Sequence, residues 1–578
     1  MNLFQAADFY IDRILNSQSK TTVDVVEQSR VKALLLDKNT TSTISMCATQ
    51  TELLEHEIYL VDTIENQQRD VMRHLKCLVY VKPTDETIDH LLRELQNPKY
   101  GEYQIFFNNT VTKSQLERLA ECDDLEVVTK VEEVFQDYLI VNEDLFSLDL
   151  RSPELFSNQL VWEQEGLEKV TQSIISLLLS LKVKPVIRFE SNSKICTKLA
   201  KEISYEVDKN SKTLFDFPQM DSQPLLFLLD RKNDPLTPLL QPWTYQSMIK
   251  EYIGIKRNIV NLSQVPDLDS DLQKVVLSSK QDPFFHDTMY LNFGDLGDKV
   301  KAYVSNYKSK TKSNAQLSTI EDIKRFIEKF PEFKKLSGNV SKHMAIVSEL
   351  DRQLQLRRIW DVSEVEQNVS VHTEHAQDFQ DVLKLIQDPL LDSYYKLKLA
   401  CIYSLRHENS AKLKDIASAL EGSTSPEDLN FYHQFTHWFD SRLNKTSTGK
   451  DKDDLISELT KKFNTRMGSR HGADNVFMQH MPDLSTLLTE LSKNSLPKDK
   501  YPTLKQDNTV SPVQDVIIFM VGGVTLEEAR VVHQFNETMR HRGNMRVIIG
   551  GTTILNTKSF IEDIKSMQGN RTELTDLL

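Results

Sequence analysis

Short unbroken apolar runs alternate with helix-length amphipathic stretches along the first part of this chain. Residues 31–36, 58–61, 77–81 and 103–107 are such runs, and segments such as 84–95 and 113–120 separate or follow them. Runs of this length bounded by turn residues predict strands buried on both faces, and the alternation predicts an open parallel α/β sheet. We place this first domain at 1–132. A second α/β series starts near Val134, with a helix over 160–181 and strands at 185–188 and 225–229. At the far end, 515–521 and 545–549 repeat the pattern, each followed by a glycine pair and then helical spacing. Two such units alone would leave wide apolar faces in water, so we expect them to dock beside the second sheet. The second domain is then discontinuous, 133–240 with 499–578.

Between them, over 241–498, strand signals largely vanish. Leu336, Val340, Met344, Val347, Leu350 and Leu354 are spaced by three or four and form a narrow helical seam. This predicts a long, mainly α-helical third domain with a helical hairpin near 296–359. Pro331 interrupts the pattern, and an interior proline forfeits a hydrogen bond, so the helix should bend or end there. Segments 444–454 and 498–512 read as loops.

Composition narrows the function. The formal net charge of -14 disfavours nonspecific nucleic-acid binding and direct attachment to anionic lipid, although a local basic patch would escape this average. No stretch approaches the roughly 20 apolar residues that span a bilayer. The first fifteen residues carry Asp8 and Asp12 and lack a basic start, so they read as an amphipathic helix and not a signal peptide. Five scattered cysteines without Cys-x-x-Cys spacing indicate a reducing cytosol and no zinc ribbon.

An α/β architecture invites an enzyme reading, but the phosphate-binding and nucleophile-elbow glycine motifs are absent. Gly522-Gly523-Val524-Thr525 and Gly550-Gly551-Thr552-Thr553 could hold an anion at a helix N-terminus, but without a phosphate-binding lysine they read as tight turns with threonine caps. His433 and His437 share a helix face without the glutamate a metalloprotease needs, and His372-Thr373-Glu374-His375 lacks further ligands. We expect no metal and no cofactor. Asp230 and Asp234 suit turn hydrogen bonds and local ion pairing better than acid-base work.

The stretch from Pro224 to Met248 is the most distinctive. A buried run, Pro224-Leu225-Leu226-Phe227-Leu228-Leu229, enters the charged, proline-rich Asp230-Arg231-Lys232-Asn233-Asp234-Pro235-Leu236-Thr237-Pro238 and continues to Trp243-Thr244-Tyr245. The prolines stiffen the crossing between domains, marking Asp230, Arg231, Asp234, Pro235 and Trp243 as a junction. This combination resembles the Sec/Munc-type (SM) proteins, which bind SNAREs and govern membrane fusion. Met1-Asn2-Leu3-Phe4, the segment 245–255, Thr288-Met289-Tyr290-Leu291-Asn292-Phe293-Gly294 and the glycine-rich C-terminal part are similar to the endosomal, vacuolar-protein-sorting branch of that family.

The resemblance implies an arch-shaped three-domain fold of two open α/β sheets and a helical insertion. It also implies a pocket on the first domain for the N-terminal peptide of a syntaxin-type SNARE. Leu116 matches that pocket best, with Leu119, Ala120, Val128 and Val131 beside it; from spacing alone these are equally core residues. Pro331 matches the hinge of a hairpin that offers a seam, here Leu336, Val340, Met344 and Val347, to SNARE helices; an ordinary kink in a bundle is the plainer alternative. Asp37, Lys38 and Glu55 to Glu57 lie on loops expected to face the SNARE. The expected protein is a non-enzymatic monomer in the cytosol, peripheral on Golgi and endosomal or vacuolar membranes. It would reach them through an endosomal or trans-Golgi syntaxin and its SNARE complex, with tethering factors as further partners. The competing readings are a nucleotide- or phosphate-dependent enzyme with a helical lid, and a coat or tether scaffold indifferent to SNARE peptides.

Overall fold

A computed structural model of the chain describes residues 2–17, 31–158, 161–218, 222–266, 268–314, 320–371, 375–408, 410–439, 476–505, 513–540 and 545–569. Its contacts divide the chain into two compact units, one holding 1–230, 497–524 and 532–554, the other 231–496, 525–531 and 555–578.

The first unit holds two sheets. In one, β1 (Lys32–Leu36), β2 (Ile58–Thr63), β3 (Met72–Val81), β4 (Tyr100–Phe107) and β5 (Val128–Glu133) run in the order β2-β1-β3-β4-β5, every pair parallel. Cys77 to Val81 are all buried, which is why the run is apolar without alternation. Helices that accompany this sheet include α1 (Leu3–Leu15), α2 (Lys38–Cys47), α3 (Asp85–Gln96) and α4 (Lys113–Cys122), with a further short helix over Gln50–Glu55. The carbonyl end of α1 collects cations from three strands. Lys32 Nζ donates to Leu15 O at 2.6 Å, Lys76 Nζ to Ser17 O at 2.6 Å and Lys130 Nζ to Ser17 Oγ at 3.1 Å. Positive charge there complements the helix dipole and fixes the helix against the sheet.

The second sheet combines β6 (Leu139–Asn142), β7 (Leu145–Ser147), β8 (Val186–Phe189), β9 (Leu225–Asp230), β10 (Asp515–Val521) and β11 (Arg546–Gly551) in the order β8-β9-β10-β11-β7-β6. All its pairs are parallel except β6 with β7. The strands from the end of the chain thus lie in the middle of this sheet, where seven consecutive residues of β10 are buried.

The second unit is mainly helical. Its elements include α5 (Tyr245–Met248), α6 (Pro283–Thr288), α7 (Phe293–Asn314), α8 (Ile320–Leu356), α9 (Ile359–Val371), α10 (Ser393–Arg406) and α11 (Pro426–Trp438). α10 is the most enclosed, with every residue from Tyr395 to Ser404 buried. Two expectations are refined. Strands do occur in the helical region: Ile255–Lys256, Ile259–Asn261 and Lys274–Val276 form a small antiparallel sheet. They are two or three residues long with one face in solvent, too short for a period-two signal. Of the bend and the end expected at Pro331, the end is excluded, since α8 runs over 37 residues. A proline removes one hydrogen bond, and the rest of a long helix keeps its own. The side chains of Pro331 and Leu336 lie outside the described residues, as do 444–454, 372–374 and 506–512.

Candidate functional site

The corner formed by α4 and the edge strand β5 is built by local capping. Thr112 Oγ1 accepts from Gln115 N at 3.2 Å while the Gln115 side chain returns to Thr112 N at 3.0 Å, fixing the start of α4. At its far end Asp123 accepts from Val127 N at 2.9 Å and Val128 N at 3.0 Å, turning the chain into β5. A register shift follows, so that Tyr103 faces Val128 and Ile105 faces Val131. Tyr103 and Ile105 are two apart and share a face, so this bulge puts Val128 and Val131, three apart, on that face as well.

The five residues expected to receive a peptide therefore separate into inward-facing and outward-facing positions. Leu119 is buried with Tyr103 and Ile105, and Val128 is half-buried against the same core. Leu116 is 38% exposed, Val131 44% exposed, and Ala120 is exposed one turn beyond Leu116. Leu125, in the connecting turn, is 58% exposed and adds apolar surface. Spacing along the chain could not place Val128 and Val131 on one face, because that depends on the bulge.

On α8, Val340 is buried, Val347 packs partly buried against the core of the unit, and Met344 is 44% exposed. Ile346, Leu350 and Leu354 complete the inward stripe, leaving Met344 on the outer face. The residues expected at a junction are each tightly tied within their own unit. Arg231 is buried and grips Glu528 with both terminal nitrogens, at 2.9 and 2.6 Å. Asp234 accepts from Thr237 N and Oγ1 at 3.1 and 2.6 Å, and Asp230 accepts from Ser193 Oγ at 2.6 Å. Pro235 is half-buried. Trp243 Nε1 donates to Ser363 Oγ at 2.6 Å, and its ring lies against Trp360 and Phe477.

One crevice of the kind in which α/β sheets bind ligands is occupied by a side chain of the chain itself. The first sheet changes direction between β1 and β3, where such sheets bind ligands at the carboxyl ends of their strands. Asp37 occupies that crevice, 1% exposed, accepting from Asn39 N and Thr40 N at 2.8 Å, Lys82 N at 2.7 Å and Thr87 Oγ1 at 3.4 Å. Burial raises its carboxyl pKa, while those hydrogen bonds pull the other way. Gly522 and Gly523 have φ of 96° and 107°, a region only glycine enters freely. Thr525 then caps the following helix reciprocally with Glu528.

The second glycine pair serves packing. A Cβ on Gly550 would lie 2.4 Å from the Phe146 ring, which stacks on Phe519. Its expected threonine cap needs correcting, because the helix that follows, Thr557–Gly569, is capped by Asn556, while Thr552 Oγ1 accepts from Gly522 N. Gly550→Ala should cost about 1–3 kcal/mol through overpacking. A lower urea midpoint checks this, and an unchanged one would show that Phe146 has room to move.

His433 and His437 are exposed on α11, and among the described residues no group of three or more potential metal ligands converges. Among the described helices none is long and apolar enough to cross a membrane.

The Sec1 family matches residues 32–563. The chain belongs to the Sec1 family. It is 61% identical to vacuolar protein sorting-associated protein 45 of Saccharomyces cerevisiae, over 98% of this chain and all of that one. The human protein of the same name is 36% identical over 98% of this chain and 96% of its own. Among solved structures, the SM protein Vps45 in complex with the Qa SNARE Tlg2 (1-310) superposes with a TM-score of 0.87 at 38% identity, covering 99% of both chains. Sly1p bound to an N-terminal peptide of Sed5p shares the fold, with a TM-score of 0.75 at 18% identity over 99% of this chain and all of that one. The fold is thus the SM fold of this Sec1-family chain.

Proposed function

We propose that this chain is an SM protein that binds a syntaxin-type Qa SNARE and promotes SNARE complex assembly for vesicle fusion in vacuolar protein sorting. The observation that carries this reading is the likeness, at 38% identity over 99% of both chains, to Vps45 held in complex with the Qa SNARE Tlg2. The rim of Leu116, Ala120 and Val131 over the floor of Leu119 and Val128 receives the SNARE N-terminal peptide. Pro331 and the seam of Leu336, Val340, Met344 and Val347 serve the SNARE helices, Met344 from the exposed face. We retain the division into 1–132, 133–240 with 499–578, and 241–498, with Asp230, Arg231, Asp234, Pro235 and Trp243 at the junction.

The protein acts by holding helices in register and performs no bond chemistry, lowering the entropic cost of assembly. Asp37 in the sheet crevice supports this, because its carboxylate takes the backbone amides an incoming anion would need. The chain reaches trans-Golgi and endosomal membranes through its SNARE and not by spanning them.

Calorimetry with the soluble domain of an endosomal Qa SNARE tests the reading. Removing the SNARE's N-terminal peptide, or replacing Leu116 by arginine, should each weaken binding by about tenfold or more, about 1.4 kcal/mol. The Leu116→Arg protein should keep its stability, because the site is on the surface. Binding indifferent to both changes would remove the pocket, and no binding to any Qa SNARE would overturn the function.

A further inference from the structure

A buried relay in the second unit joins four helices and is not used by the surfaces described above. Asp282, at the start of α6, accepts Phe285 N on Oδ1 at 3.1 Å. Its Oδ2 meets Lys342 Nζ at 2.6 Å and His343 Nε2 at 2.8 Å, both from α8. The other imidazole nitrogen, Nδ1, lies 2.9 Å from the Tyr245 hydroxyl of α5. Phe284 stacks on Tyr303 of α7 at 4.5 Å on one side and meets the His343 ring at 4.6 Å on the other. His343 and Tyr245 are fully buried and Asp282 nearly so.

An Asp-His-hydroxyl relay looks catalytic, yet the fully buried hydroxyl and imidazole offer no face to a substrate. Its geometry suits holding. An ionised carboxylate only accepts, so Nε2 carries the proton of the neutral ring, Nδ1 accepts from the Tyr245 hydroxyl, and every partner is satisfied. A second proton on the ring reverses the Tyr245 bond and leaves its O–H without that acceptor. It also sets two cations, Lys342 and His343, against one carboxylate oxygen.

We propose that Asp282, His343 and Tyr245 form a proton-sensitive latch that fixes the base of the α7–α8 pair, closed while His343 is neutral and released when the ring is protonated. The titratable and charged groups around the ring are Asp282 from α6, Tyr245 from α5, Tyr303 from α7 and Lys342 from α8 itself. Burial lowers the His343 pKa below its usual value, the nearby Asp282 only partly opposing it. Burial favours a neutral Asp282, but His343 and Lys342 outweigh it and hold the carboxyl far below the usual range. The sign follows. The open chain takes up its proton near pH ~6.5, before the latched one, so latch stability is full above that value and is lost as pH falls through the folded pKa. The consequence for function rests on the reading of α8 as a surface for SNARE helices: a released latch weakens SNARE capture.

Hydrogen exchange of the full chain at about pH 7.5 and pH 5.5, corrected for intrinsic rates, tests the latch. His343→Ala should speed exchange about tenfold in α7 and in the 340–356 part of α8 at the higher pH, with the first unit unchanged. The unsubstituted protein should show the same rise only at the lower pH. In His343→Gln the amide nitrogen can donate to Asp282 and the amide oxygen can accept from Tyr245, and nothing titrates, so exchange should stay slow at both values. The proposal is overturned if the unsubstituted protein stays slow at the lower pH, or if His343→Gln responds to acid as fully as the parent. If the exchange behaves as expected while SNARE affinity ignores both pH and His343→Ala, the latch stands and the reading of α8 falls.

Discussion

Arg231→Met is expected to destabilise the second unit by about 3–5 kcal/mol, because it leaves a carboxylate buried without its cation. Glu528 is 1% exposed, and its two oxygens are the acceptors for the Arg231 guanidinium. Burial already raises the Glu528 pKa, with Arg231 the main opposing influence. Without the arginine the group must bind a proton or draw in water, and the cap on Thr525 is disturbed with it. At about 2 °C per kcal/mol for a large unit, the corresponding melting transition should fall by roughly 6–10 °C. Adding Glu528→Gln, which keeps an oxygen for Thr525, should recover much of the loss. A single substitution that leaves melting unchanged would mean the pair is not buried in solution.

A comparable loss is expected for Lys398→Met at the centre of the helical unit. Lys398 and Glu366 are both wholly buried and 2.6 Å apart, and a second, half-buried carboxylate, Glu251, feels the same ammonium. Glu366 also accepts Gln241 N at 2.9 Å, and Glu251 accepts Thr557 N at 2.9 Å. Removing the lysine sets two carboxylates against each other in an apolar surround, a change on the order of 3–5 kcal/mol. Urea unfolding followed by circular dichroism should show an earlier transition, with Glu366→Gln partly restoring it. If the lysine substitution alone were neutral, water must reach the site.

The strands were legible where burial on both faces leaves only apolar residues to choose from. Residues 103–107 read from the sequence belong to β4 (Tyr100–Phe107), and 225–229 to β9 (Leu225–Asp230). The family was legible because its signature is local, running from Leu229 to Tyr245. What escaped depends on pairs far apart in the chain. Arg231 and Glu528 are separated by 297 positions, and His343 finds Tyr245 across 98. No spacing rule connects such residues, and an aspartate that fills a sheet crevice reads the same as one on a loop. The bulge that turns Val128 and Val131 to one face was hidden for a related reason, since a register is a property of two strands.

The placement of β10 between β9 and β11 has a consequence for biosynthesis. β9 finds β8 upstream, but its second partner is about 285 residues downstream, which at roughly 5–20 residues per second leaves the ribosome some 15–60 s later. Throughout that interval a run of leucine and phenylalanine presents an unpaired backbone edge to solvent while residues 231–496 of the helical unit are being made. A truncation before residue 515 keeps that edge open for good and should accumulate as an aggregate even when every helix it contains can fold.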